Sequence, residues 1–90
     1  MAAMPRPNTF RHIVRTPGIC GGEPRVDGTR VPVRCIVIAF RQADDLLAVH
    51  RAYPGVSVSG IKEALAFYET NRGEIDHYIE ENERFAYSSD

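Results

Sequence analysis

From Val33 onward, apolar residues recur at helical intervals. Val33, Ile36, Val37 and Phe40 occupy i, i+3, i+4 and i+7, one face of a helix. Cys35, Ile38 and Ala39 widen that face, so the first helix is expected to be largely buried. Its end near Gln42 and Ala43 carries no glycine stop. Leu46, Val49 and Tyr53 mark a second, shorter stripe. Asp44 or Asp45 can cap it, because a carboxylate accepts an N–H that the first turn leaves unpaired. Pro54-Gly55 ends it. Ser57 can cap a third helix with Val58, Ile61, Leu65 and Tyr68 on one face, and Gly60 in its first turn weakens it by ~1 kcal/mol relative to alanine. Asn71 and Glu74 have the spacing of a capping box. A fourth helix is therefore predicted over 72–84, with Ile75, Tyr78, Ile79 and Phe85 apolar and Asp76, Glu80, Glu81 and Glu83 facing water.

The front of the chain follows another rule. Residues 1–9 contain Pro5 and Pro7 without periodicity and read as a flexible arm. Phe10 to Arg15 can form a short strand with Ile13 and Val14 as its apolar members, and Thr16-Pro17-Gly18 is a turn. Residues 18–33 hold four of the seven glycines and place Asp27-Gly28 between short runs containing valine. That dipeptide predicts a hairpin with a type I′ turn, in which both central residues take positive φ. Pro24 and Pro32 close its arms, since proline cannot donate to a ladder. The fold class expected is mainly α: a helix-turn-helix bundle of three to four helices with a short N-terminal β-hairpin element. Residues 10–85 form its single domain, and 86–90 a frayed tail.

Ninety residues leave room for one modest core, which dimerisation would supplement. The longest apolar run, residues 35–40, is six long, so no membrane span is expected, and the chain's start lacks the apolar core of a signal peptide. The cytoplasm is the expected location, with Cys20 and Cys35 as reduced thiols. Charge is unevenly placed. Residues 1–51 carry Arg6, Arg11, Arg15, Arg25, Arg30, Arg34, Arg41 and Arg51 against four acids, a balance of +4. Residues 52–90 carry Lys62, Arg72 and Arg84 against eight acids, a balance of −5. An all-arginine basic half suits forked contact with phosphate or carboxylate.

Enzyme readings fail in turn. Gly18, Gly21 and Gly22 are followed by no Gly-Lys-Ser/Thr, and Pro24 blocks the helix that a phosphate-binding loop needs. His12, His50 and His77 are scattered, with no zinc-ligand spacing. Neither catalysis, a metal nor a cofactor is expected. Nucleic-acid binding fits better. Two short capped helices separated by 54–57, behind an earlier buried helix, make the plan of a helix-turn-helix. The third helix would enter the major groove with Ser59, Lys62, Glu63 and Ala66 outward. Since phosphate neutralisation dominates such affinity and Lys62 is alone there, Arg6, Arg11, Arg15, Arg25 and Arg30 would supply the remaining charge.

The strings TPGICGGEPRVDGTRVPVRCI and AYPGVSVSGIKEALAFYETNRGEIDHYIEENE resemble the bacterial domain-of-unknown-function 433 family over about residues 11–83. Gly21, Gly22, Pro24, Gly28, Thr29, Arg30, Val31, Pro32 and Val33 carry the likeness, with Tyr53-Pro54 and Ala64-Leu65 downstream. Ala43, Asp44, Gly60 and Gly73 depart from the family's usual residues. The resemblance implies a homeodomain-like helix-turn-helix. It also implies the role of a VapB-like antitoxin that neutralises a PIN-like ribonuclease toxin and represses its own operon. Two surfaces are expected to meet the toxin. Arg25 and Arg30 would mask a metal-binding carboxylate cluster, or Ile75, Tyr78, Ile79 and Phe85 would dock in a groove. A homodimer joined through the β-element, whose strand edges are open to pairing, is expected. The alternative is a dimeric protein-interaction module that never binds DNA.

Overall fold

The computed structural model describes residues 10–88, with side chains to Arg84. The expected arm at 1–9 and the last two positions of the expected tail lie outside the described residues. Strands β1 (Ile13–Val14) and β2 (Arg25–Val26) pair antiparallel, Ile13 opposite Val26 and Val14 opposite Arg25. A short left-handed turn, Cys20–Gly22, lies in the loop between them. Four helices follow: α1 (Val33–Ala43), α2 (Leu46–Ala52), α3 (Val58–Thr70) and α4 (Arg72–Ser88). The fold is mainly helical, with four helices and a short two-stranded hairpin in front, and among the described residues no helix is long and apolar enough to cross a membrane.

Local chemistry explains most boundaries. The α1 terminus lacks glycine because Asp44 takes the left-handed conformation itself, at φ 53° and ψ 37°, and donates its N–H to the Phe40 carbonyl at 2.7 Å. Asp45 then caps α2 by accepting from the Leu47 N–H at 3.1 Å, and Ser57 caps α3 by accepting from the Gly60 N–H at 3.0 Å. The predicted capping box at Asn71 does not form. Asn71 ends α3 and donates its side-chain amide to the Phe67 carbonyl, while Glu74 turns to Arg15 and Tyr78. The helix that follows runs to Ser88, four residues past the predicted end.

The hairpin also differs from its expected form. Thr29 N–H donates to the Val26 carbonyl at 3.1 Å across Asp27-Gly28, and of that pair only Gly28 has positive φ, 81°. This is the pattern of a type II turn, which needs glycine at its third position alone. The returning arm adds one bridge, Arg25 to Pro32. The principal partner of β2 is β1, so β2 lies between two short neighbours. Strands of two residues leave little edge to template another chain.

The core gathers Ile13 and Val26 from the strands, Val33, Ile36 and Val37 from α1, Val49 and Val56 around α2, Ile61, Ala64 and Phe67 from α3, and Ile75 and Ile79 from α4. α3 is its hub, packed against α1, α2, α4 and both strands. Its buried side is Gly60, Ile61, Ala64 and Phe67, rotated from the predicted face, on which Leu65 and Tyr68 remain half-buried. The rotation follows from the strands, which need a surface of their own on α3. Phe67 meets Phe10 edge-on at 5.4 Å between centroids. Gly60 therefore has a packing role besides its helical cost. A Cβ there would stand 3.2 Å from Val26 Cγ1 and 3.3 Å from Val56 Cγ1.

Ile61 is fully buried and Leu47 is 59% exposed. Ile61→Ala is expected to cost about 3 kcal/mol in urea unfolding, and Leu47→Ala less than about 0.5 kcal/mol. Equal costs would contradict the burial described.

Candidate functional site

The candidate site is best found by asking which charged groups the fold leaves without partners. Arg25 is not among them. It is 8% exposed, with Nη1 donating to the Thr29 carbonyl and Nη2 to the Thr16 hydroxyl, each at 2.9 Å. It ties both loops that flank β2 and, being buried, is not presented outward for insertion into a partner's active site, contrary to the sequence expectation. Arg15 stays exposed but is also engaged within the chain. It forms a forked pair with the Glu74 carboxylate, with Nη2 to Oε1 at 2.9 Å, and its guanidinium lies 5.7 Å from the Phe67 ring centroid. This pair clasps β1 to α4. Arg34 binds both Glu23 oxygens, at 3.0 and 3.2 Å, fixing the loop before β2 to the start of α1.

A third cluster joins α1, α3 and α4. Arg41 Nη2 donates to the Tyr68 hydroxyl at 2.8 Å and to Asp76 at 3.0 Å, and that hydroxyl donates to Asp76 at 2.8 Å. Arg41 and Arg72 each hold a guanidinium 5.6 Å from the Tyr68 ring centroid. These groups are half-exposed and contribute modestly.

The expected docking stripe on α4 is likewise used within the chain. Ile75 and Ile79 are 0% and 4% exposed and belong to the core. Tyr78 is half-buried and donates to Glu74 Oε2 at 2.9 Å. Burial, then the bond to Glu74, holds its phenol above the ordinary range. The side chain of Phe85 lies outside the described residues, as does Arg6.

What remains exposed is a stripe on α3 and a few bases. Ser59, Lys62, Ala66 and Glu69 are exposed at i, i+3, i+7 and i+10. Arg11, Arg30 and Arg51 are exposed, and neither they nor Lys62 make an ion pair among the described residues. Glu63, expected to face outward, instead bends toward β1. It accepts from the His12 backbone N–H at 2.9 Å and lies 2.9 Å from His12 Nδ1. The backbone bond from His12 is the main reason its carboxyl is held below the ordinary range, with a smaller contribution from the Arg11 charge. The structure leaves Arg11, Ser59 and Lys62 exposed and without ion pairs among the described residues, and engages Arg15 and Arg25 within the chain. Among the described residues there is no group of three or more His, Cys, Asp or Glu that could hold a metal.

A family model described as a protein of unknown function, DUF433, matches residues 13–68. The crystal structure of a DUF433 member protein from Anabaena variabilis ATCC 29413 is similar to this chain with 36% identity and a TM-score of 0.66, over 76% of this chain and 67% of that one. No curated protein matches. The matched residues include the hairpin, α1, α2, the corner at 53–57 and most of α3, and so Ser59 and Lys62 but not Arg11.

Two depressed carboxyls set an acid limit. Glu63 and Glu74 titrate below their ordinary 4.5 when folded, Glu74 chiefly through its bond from Arg15. A folded state that holds its carboxylates more acidic than the unfolded chain is stabilised above the unfolded value, and that stabilisation vanishes as pH falls through the folded one. Melting temperature should therefore drop below about pH 4.5. In Glu74→Gln it should be lower at pH 7, with a shallower acid limb. An unchanged acid limb in that variant would show that the Arg15 clasp does not contribute.

Proposed function

We infer that this chain, which belongs to the DUF433 family of proteins of unknown function, serves as the antitoxin-like member of a toxin–antitoxin pair. In this reading it is a cytoplasmic, VapB-like protein that neutralises a PIN-like ribonuclease and represses its own operon. The observation that supports DNA contact is the corner itself. Two capped helices, α2 and α3, meet across 53–57, and α3 leaves Ser59, Lys62 and Ala66 exposed, as Arg11 is on the segment before β1. That is the order of a homeodomain-like helix-turn-helix, whose second helix reads the major groove while flanking bases hold phosphates. In this reading Ser59 would meet base edges, and Lys62 and Arg11 the backbone. Two-fold pairing of chains would double this small charge and match a palindromic operator. Toward the toxin, Arg30 is the arginine of the hairpin that remains free, and it is the group that would pair with metal-binding carboxylates.

One observation favours a second reading, a protein-interaction module without DNA binding. Glu69 shares the exposed stripe with Lys62, and Glu63 stands beside it, so α3 has no net positive face.

Gel-shift titration against the DNA upstream of the gene, at two salt concentrations, separates the two. The first reading expects log affinity to fall by about 0.9 per unit of log salt for each phosphate contact, and Lys62→Ala to reduce that slope by about one contact per subunit. Absence of a complex at low salt supports the second. Purified with the product of the neighbouring reading frame, Arg30→Ala should lose inhibition of nuclease activity while melting like the wild type. Intact inhibition would exclude the arginine mechanism.

A further inference from the structure

We propose that Arg25 and the loop over residues 16–22 form a binding site for one oxyanion, a carboxylate or a phosphate group. Arg25 is buried yet has no carboxylate within ion-pair distance among the described residues. Its two acceptors, the Thr29 carbonyl and the Thr16 hydroxyl, are neutral, and Nε has none. A guanidinium carries five N–H donors, and these bonds use two. A buried charge without its counter-charge is costly, so the partner that completes this site is an anion.

The loop beside it has the form that receives one. Gly18, Cys20, Gly21 and Gly22 all take left-handed backbone, at φ 87°, 53°, 64° and 83°. Cys20, Gly21 and Gly22 close a tight turn, and successive N–H groups held in a turn can face one anion together. Those of Gly18, Cys20 and Gly21 donate to no backbone carbonyl among the described residues. Thr16 opens this loop and carries the hydroxyl that Arg25 Nη2 binds, so the guanidinium reaches the start of the loop. The nearby acid Glu23 is neutralised by Arg34 and does not compete. This proposal is independent of the antitoxin reading.

The test is a titration of 15N-labelled protein with sodium phosphate, sodium acetate or sodium chloride at constant ionic strength. It follows the amides of Gly18, Cys20 and Gly21 and the Arg25 Nε–H resonance. The expected result is a saturable shift of these signals in phosphate or acetate beyond that in chloride, the stronger arm naming the source. Binding should be about tenfold weaker in Arg25→Lys, which keeps the charge and loses the fork. The same response in chloride, no response, or equal affinity in Arg25→Lys would overturn the proposal. Should Arg25→Lys fail to fold, the wild-type Nε–H signal decides, because it must move together with the loop amides.

Discussion

The contact between Val26 and the first turn of α3 governs the arrangement of everything before Val33. Its closeness suits a residue 60 without a side chain: a Cβ there would press on Val26 and Val56 together and make them give way by a few tenths of an ångström. With β2 seated, β1 follows by pairing, and Ile13 enters the core. His12 then reaches Glu63, and Arg15 reaches Glu74. A front end of two-residue strands could not stand alone, since short hairpins are marginal in water. It is ordered by the helix it leans on, and that helix loses one flank of its surface in exchange.

This arrangement changes the meaning of the basic half of the chain. Eight arginines against four acids suggest a surface prepared for a polyanion. Folded, Arg15, Arg34 and Arg41 pair with Glu74, Glu23 and Asp76, and Arg25 is enclosed by two threonines. The acids they meet come mostly from the second half, so much of the apparent polarity cancels within one molecule. Arg11, Arg30, Arg51 and Lys62 are left to act outward. The candidate interface is accordingly small, which is the physical reason that a second subunit matters to the DNA-binding reading.

Much of the architecture was legible in the chain. Periodicity located all four helices, and Asp45, Ser57 and Pro54-Gly55 marked their ends because capping and termination act within a few residues. A strand was expected over Phe10 to Arg15, and only its apolar pair, Ile13 and Val14, forms one. Asp44 was not seen as a helix stop, since only the folded backbone shows an aspartate in left-handed geometry. Ile75 and Ile79 were correctly placed on an apolar face, but a stripe cannot say whether its own core or a partner covers it. The site was less legible than the fold. Whether an arginine is free depends on carboxylates tens of residues away, as Arg15 and Glu74 illustrate, and no local pattern encodes that.

If the front end and α3 are one cooperative body, they must open together. Native-state hydrogen exchange on the amides of Val26, Asp27 and Val33, bonded to Val31, His12 and Pro24, and of Ile61, bonded to Ser57, tests this most directly. The account predicts that all four exchange with the same free energy, close to that of global unfolding. Exchange of Val26 and Asp27 through a separate, low-energy opening while Ile61 stays protected would contradict it.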